Sequence, residues 1–127
     1  MTDKKKFEDL PKVEDKETIH QTLQGLVSHV EHVDGAFAVA DDGVVLDELN
    51  VEDTERIGAI AVFMGTIGVY VGESLHLGLM ENGLVEFQGK KLMIIVRDIY
   101  YIGLLIDPKG SVKYIKSMVL DYLKNQA

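Results

Sequence analysis

Residues 57–72, IGAIAVFMGTIGVYVG, form a run of sixteen uncharged residues between Arg56 and Glu73. Four of the sixteen are glycines, and each glycine in a helix interior costs about 1 kcal/mol relative to alanine. Apolar residues still recur at helical spacing through the whole run, which predicts a long helix from about residue 53 to residue 75. A helix that keeps four glycines must be approached closely by another element or by a second protein.

The residues before this helix predict one amphipathic helix and a hairpin. Asp15 is a candidate N-cap for the first helix, whose apolar residues recur at a spacing of three or four. Asp42-Gly43 separates two short apolar runs, at residues 35–40 and 44–46, and glycine accepts the positive φ that a tight hairpin turn requires. The apolar residues of the first helix are Ile19, Leu23, Leu26, Val27 and Val30.

The residues after the long helix predict three strands and a closing helix. Strands are indicated at 84–88, 92–96 and 99–106. The last two are apolar at nearly every position, so both faces of the sheet must be covered there by other elements. Asp107-Pro108 ends the sheet before an amphipathic helix that begins near Val112. The order α-β-β-α-β-β-β-α predicts an α/β (α+β) fold with an antiparallel five-stranded sheet. The first and last helices cover one face and the long central helix covers the other.

Composition sets the broad class. The chain has 127 residues, 46% hydrophobic and 27% charged, which predicts one globular domain, at 16–127. Residues 1–15 alternate Lys with Asp and Glu, contain Pro11 and show no lasting period, which predicts a mobile tail. It has no cysteine, which excludes disulfides, and no apolar leader, which favours the cytoplasm. The net charge of −8 argues against nucleic acid as a partner, and the uncharged run is too short for membrane insertion. Seven acids and no base lie within residues 41–55, which we interpret as a solvated surface or a patch for a basic partner.

No catalytic, cofactor or metal site is predicted. His29 and His32 lie on one side of the first helix's end without a convincing third ligand, so they are expected to be solvated. Neither a phosphate-binding loop nor a dinucleotide fingerprint occurs. Arg56 and Arg97 are the only arginines, and we expect a helix-start salt bridge for the first and a structural role for the second rather than arginine fingers. The protein is therefore not predicted to be an enzyme.

One segment resembles the opening of roadblock/dynein light chain domains: Leu23-x-x-Leu26 through Val33-x-Gly35-Ala36-Phe37-x-Val39-x-x-x-Asp42-Gly43-x-Val45. The glycine-rich central helix and the apolar strand pair are similar to the rest of such a domain. The resemblance implies a profilin-like fold and a two-fold homodimer in which central helices pair and sheets join through the third strand, here with Val85 and Phe87. It also implies a scaffold or regulator of a Ras-like small GTPase, as in the bacterial gliding-polarity member, which activates its GTPase, or a dynein light chain.

The central helix carries two apolar stripes in projection. One holds bulky residues at 57, 60, 64, 67, 71 and 75, and the other holds small residues. We expect the bulky stripe to lie on the chain's own sheet and the small one to pack against a second copy. The alternative is that the glycines let the helix lie close to its own sheet. The predicted dimer residues on this helix are Gly58, Ala61, Gly65, Gly68 and Gly72, with Val62 and Val69.

The remaining arc of the helix predicts a partner-binding surface. Phe63 and Tyr70 lie there beside charged residues, which fits a protein contact or, alternatively, packing at the domain's own edge. Two rival function classes stay open: a PAS-like small-molecule sensor, and a structural adaptor without a GTPase. The predicted contact residues are Glu52, Glu55, Arg56, Ala59, Phe63 and Tyr70.

Overall fold

The computed structural model describes residues 16–97 and 100–125, apart from the side chain of Thr54. The predicted tail at 1–15 and the cap at Asp15 lie outside the described residues. The order of elements matches the predicted order. The elements are α1 (Lys16–His29), β1 (Val33–Ala40), β2 (Val45–Leu49), α2 (Thr54–Ser74), β3 (Asn82–Glu86), β4 (Lys91–Val96), β5 (Tyr100–Ile106) and α3 (Val112–Asn125).

The five strands form one antiparallel sheet in the order β2-β1-β5-β4-β3, which leaves β2 and β3 at its edges. The predicted Asp-Gly turn joins β1 to β2. Gly43 has a φ of 97°, and its N–H donates to the Ala40 carbonyl at 2.9 Å. The Val44 N–H donates to Asp42 Oδ1 at 3.1 Å, which stabilises the loop further.

The larger core lies between the sheet and the pair α1 and α3. Leu23 and Leu26 of α1 and Ile115 of α3 are fully buried, and burying each such side chain stabilises the fold by about 1.5–3 kcal/mol. The predicted apolar faces of both helices are confirmed. The buried cluster comprises Ile19, Leu23, Leu26, Val30, Val33, Ala36, Ala38, Met93, Ile95, Tyr100, Ile102, Leu104, Ile106, Ile115, Val119 and Leu123.

The core on the opposite face, beneath α2, is smaller. Its buried members are Phe37, Val39, Ala61, Leu92 and Ile94. Phe37 pairs across the strands with Gly103, and its ring occupies the place that a Cβ at Gly103 would take. Because this layer is thin, α2 must lie close to the sheet, and much of its own apolar surface stays outside the core.

Candidate interaction surface

The small residues of α2 face the chain's own sheet. Ala61 is fully buried. A Cβ at Gly58 would lie 3.3 Å from side-chain methyls of Val39 and Val45, and one at Gly65 would lie 2.5 Å from the Tyr101 ring. The helix backbone therefore rests almost directly on strands β1, β2 and β5.

The C-terminal part of the same stripe is covered by the loop that follows α2. The Met80 side chain occupies the place of a Cβ at Gly68, and the Gly78 carbonyl oxygen occupies that of a Cβ at Gly72. The Leu77 N–H donates to the Gly72 carbonyl at 2.8 Å and ties this loop to the helix. The prediction that a second copy packs on Gly58, Ala61, Gly65, Gly68 and Gly72 is therefore wrong. These residues are small because α2 approaches its own sheet and loop.

Most of the bulky stripe faces outward, contrary to the prediction, and only Ile57 and Met64 are half-buried against the core beneath α2. Ile60, Ile67 and Val71 are exposed, as is Leu75 at the helix end. They lie on the flank of α2 that faces β3, since Met64 on that flank comes near Gly83. Residues 55–74 are long and apolar enough, by length and composition alone, to cross a membrane, and only 22% of that apolar span is buried within the chain. An exposed apolar surface of this kind marks a site where another molecule is expected to bind.

The other predicted dimer residues are divided between core and surface. Val62 is half-buried against the chain's own core beneath α2, so it does not lie on a free surface. Val69 is exposed, on the flank of α2 away from Ile67. Val85 of β3 is half-buried, and Phe87, which directly follows β3, is 60% exposed. Val69, Val85 and Phe87 therefore remain available for contact with a second protein.

The predicted partner-binding residues lie together on the outer side of α2. Phe63 is 65% exposed and Tyr70 is 71% exposed, and both point away from the sheet. Arg56 Nη1 lies 4.0 Å from Asp53 Oδ2, which agrees with the helix-start salt bridge that we expected for this arginine. The remaining members are also exposed: Glu52, Glu55 and Ala59.

Sequence reasoning missed the loop between α2 and β3. Leu75, Leu77 and Leu79 are all exposed, Leu79 by 93%, and they border the exposed stripe of α2. The alternation of leucine at positions 75, 77 and 79 was the available signal. Loop, helix and strand together enclose an apolar cleft of about 420 Å³ between Met64, Ile67, Val71, Gly72, Leu77, Leu79, Met80 and Gly83.

A second and larger hollow of about 1010 Å³ lies at the end of the sheet where β4 finishes. Apolar side chains from α2, β4 and α3 line it, together with Tyr101, and three charged residues also border it. Those charged residues are Glu81, Arg97 and Lys124.

Two of the four histidines contact neighbouring groups. His29 Nδ1 lies 3.0 Å from the Gly25 carbonyl, and its ring stacks on Tyr122 with centroids 5.8 Å apart. His20 Nδ1 lies 2.7 Å from Asp47 Oδ2 and links α1 to β2. Among the described residues no group of three or more His, Asp or Glu side chains is placed to hold a metal ion.

Comparisons with known proteins bear on the fold. No protein-family model matches the chain, and no curated protein matches it either. Among solved structures, a roadblock/LC7 domain from Streptomyces avermitilis is 17% identical, with a TM-score of 0.74 over 83% of this chain and 91% of that one.

Two solved gliding-regulator structures are also similar. Myxococcus xanthus MglB is 13% identical, with a TM-score of 0.75 over 88% of this chain and 89% of that one. An MglB described with a tetrameric arrangement is 9% identical, with a TM-score of 0.74 over 88% and 86%. At such identities the likeness concerns architecture, and it agrees with the element order and sheet described above. The chain has the fold of roadblock/LC7 domains.

Proposed function

We propose that this protein is a dimeric, non-catalytic regulator that acts in the cytoplasm and binds a Ras-like small GTPase, modulating its nucleotide cycle or its placement. The observation that carries the proposal is the outer side of α2. It presents exposed apolar and aromatic side chains without an intervening charge between Arg56 and Glu73. The fold shared with MglB structures supports a regulator of this type.

The homodimer is proposed on the flank of α2 that faces β3. Ile60, Ile67 and Val71 are exposed there, and Phe87 is exposed directly after the neighbouring edge strand β3. Exposed apolar side chains of this kind suit a two-fold contact in which the same patch of each copy meets the other. A tetrameric arrangement in one MglB structure supports self-association in this fold.

The GTPase contact is proposed on the outermost side of α2. Phe63 and Tyr70 supply aromatic anchors of the kind that dominate binding energy at protein interfaces. Glu52 and Glu55 at the start of the helix add negative charge, which favours a partner with basic side chains at that point. We therefore expect the surface of α2 that contacts the GTPase to be acidic at the start of the helix and apolar along the rest.

The test begins with capture from native lysate by the purified protein, in the presence of GTP or GDP. A Ras-like GTPase identified this way is then produced separately, and its dissociation constant is measured by biolayer interferometry. A variant combining Glu52→Lys, Glu55→Lys and Phe63→Ala is expected to bind at least about 100-fold more weakly, because it loses one aromatic anchor and reverses two charges.

The matched control is Tyr114→Ala, which removes an exposed aromatic side chain from α3 on the opposite side of the sheet. It should leave binding unchanged. The mass of both variants, measured by light scattering, should equal that of the wild type. Unchanged binding by the triple variant would place the GTPase elsewhere on the protein, and failure to capture any small GTPase in either nucleotide state would favour an adaptor without one.

One observation favours a second candidate, a small-molecule sensor. The hollow of about 1010 Å³ at the end of the sheet combines apolar walls with two basic groups, Arg97 and Lys124, and one acidic group, Glu81. Anionic amphiphiles suit such a lining. A thermal-shift screen with fatty acids and acyl phosphates tests this hypothesis. A rise in melting temperature that is lost in Lys124→Ala would support it.

A further inference from the structure

The two helices on one face of the sheet leave the edge strand β3 uncovered. α1 lies over β2, where His20 Nδ1 is 2.7 Å from Asp47 Oδ2. α3 lies over β5, since Ile115 of α3 and Ile106 of β5 both border Gly110. A helix is about 10 Å wide and strands are about 4.8 Å apart, so two helices cover about four strands. The strand left over is β3, at the edge beyond β4.

Leu84 of β3 points to this uncovered side. It pairs with Met93 of β4, which is buried in the larger core with α1 and α3. Paired residues in an antiparallel ladder point to the same face of the sheet. Leu84 is nevertheless 38% exposed. An apolar side chain is therefore open to solvent on the face of β3 that adjoins α3.

The flank of α3 nearest β3 carries lysines. Tyr122 fixes the orientation of α3, because its ring stacks on His29 of α1 and its hydroxyl borders Gly25. Leu120 lies about 200° round the helix from Tyr122, so it faces away from α1, toward β4 and β3. It is 38% exposed, and it lines the larger hollow together with Ile95 of β4. Three lysines share this flank, at four or seven residues from Leu120: Lys113, Lys116 and Lys124.

The charge on this flank is positive in a chain that is acidic as a whole. The net charge of the chain is −8, whereas residues 90–124 contain seven basic and three acidic residues, a balance of +4. None of the three flank lysines forms an ion pair with another residue that the structure describes. Glu86, the acid on this face of β3, is paired across the ladder with Lys91. Lys113 and Lys116 are three residues apart and repel each other, a cost that a negatively charged partner would offset.

We propose that the groove between α3 and β3, formed by Leu84, Leu120 and the three flank lysines, binds an amphipathic helix of a partner protein with acidic side chains along one flank. The apolar side chains of that helix contact the two leucines, and its carboxylates face the lysines. Helices pack 8–10 Å apart, so a helix beside α3 lies over β3 and completes the layer. This groove lies on the opposite face of the sheet from α2, so the inference is independent of the GTPase contact proposed above.

A protein helix suits this groove better than an anionic membrane does. Asp121 is exposed on the side of α3 opposite its buried residues, whereas the lysine flank is turned toward β3. A flat, negatively charged surface would therefore approach Asp121 before it reached the lysines. α3 is 14 residues long, or about 21 Å, so the groove beside it accommodates about four turns of a docked helix.

Selection of peptides against the purified protein, from a phage-displayed random library about four helical turns long, tests the chemistry of the partner. We expect the enriched peptides to have net negative charge and apolar residues at a spacing of three or four. Their dissociation constants are then measured by fluorescence polarisation. Lys116→Glu should raise these constants at least about tenfold, because it reverses a charge that faces the peptide. The matched control Lys16→Glu reverses an exposed lysine at the start of α1 and should change them less than about twofold.

The apolar contact and the location of the peptide have separate readouts. Leu84→Ala should weaken peptide binding at least about fivefold, because it removes apolar surface that the peptide buries. Val44→Ala, at an exposed position in the β1–β2 turn, should have no effect. In methyl NMR spectra, the signals of Leu84 and Leu120 should shift when peptide is added, while those of Ile60 and Ile67 on α2 should not.

Four outcomes would overturn the inference. The first is a selection that enriches no acidic peptide, and the second is peptide binding that Lys116→Glu leaves unchanged. The third is binding of the wild type to phosphatidylglycerol vesicles that Lys116→Glu abolishes, with no peptide enriched, which would assign the lysines to a membrane. The fourth is tighter peptide binding by a variant with Phe7→Ala and Leu10→Ala, which would assign the groove to the chain's own first residues.

Discussion

Alanine substitutions at the two ends of the glycine stripe on α2 are expected to change stability in opposite directions. Alanine is favoured over glycine in a helix interior by about 1 kcal/mol. At Gly58 the added methyl would meet only the side-chain methyls of Val39 and Val45 at 3.3 Å, and these can shift slightly. At Gly72 it would meet the carbonyl oxygen of Gly78, a backbone group in a loop that is hydrogen-bonded to the same helix turn.

The magnitudes follow from these contacts. Gly58→Ala should keep roughly half of the gain in helix propensity, or about 0.5 kcal/mol. Gly72→Ala incurs an overpacking cost of about 1–3 kcal/mol, which exceeds that gain and leaves a net loss near 1 kcal/mol. The two variants should thus differ by about 1.5 kcal/mol in free energy of unfolding. For a chain of this length, that difference corresponds to roughly 5–8 °C in melting temperature.

The assay is thermal unfolding followed by circular dichroism, with all proteins at the same concentration because dimer formation contributes to apparent stability. Light scattering at that concentration should show wild-type mass for both variants, since neither glycine lies on the exposed stripe. If both substitutions raised the melting temperature equally and lowered the mass toward that of a monomer, the stripe would face a second helix and the orientation of α2 described above would be refuted.

Three further expectations concern the core and the surface. Leu23→Ala, at a fully buried position between α1 and the sheet, should lower the free energy of unfolding in urea by about 2–5 kcal/mol, whereas Leu79→Ala, at an exposed loop position, should change it by less than about 0.5 kcal/mol. Phe37→Ala should cost about 3–5 kcal/mol, because its ring fills most of the thin core beneath α2; a loss below 1 kcal/mol would contradict that packing. Arg56→Ala should change stability by less than about 0.5 kcal/mol, since its contact with Asp53 is long and solvent-exposed.

Much of the fold was predictable from local patterns. The periodicity of α1 and α3 identified their buried faces, and the apolar runs of β4 and β5 required cover on both sides of the sheet. The Asp42-Gly43 turn was predictable because its φ requirement is local. Strand ends were less predictable: β3 begins at Asn82, two residues before the predicted start, since Asn82 and Gly83 are held by pairing with β4 and not by an apolar pattern.

The candidate interaction surface was only partly predictable. The charge-free run identified α2 as an element with two apolar sides, and Phe63 and Tyr70 are exposed on its outer side as expected. The sequence did not predict that the leucines of the loop after α2 border this surface. Their exposure depends on the contacts that hold the loop against the helix. For this loop, the Gly72 carbonyl and the Gly68–Met80 contact hold it beside the exposed stripe.

The sequence by itself determined that α2 carries a stripe of small residues beside a stripe of bulky ones, because side-chain positions around a helix follow from spacing alone. Only the tertiary structure decided which stripe faces inward. Phe37 and Tyr101 project from the sheet and fill the layer beneath the helix, so glycine and alanine are the residues of α2 that lie closest to the sheet. Ile60, Ile67 and Val71 are therefore left on the outside, where a second protein can cover them, whereas Ile57 and Met64 are half-buried against this core.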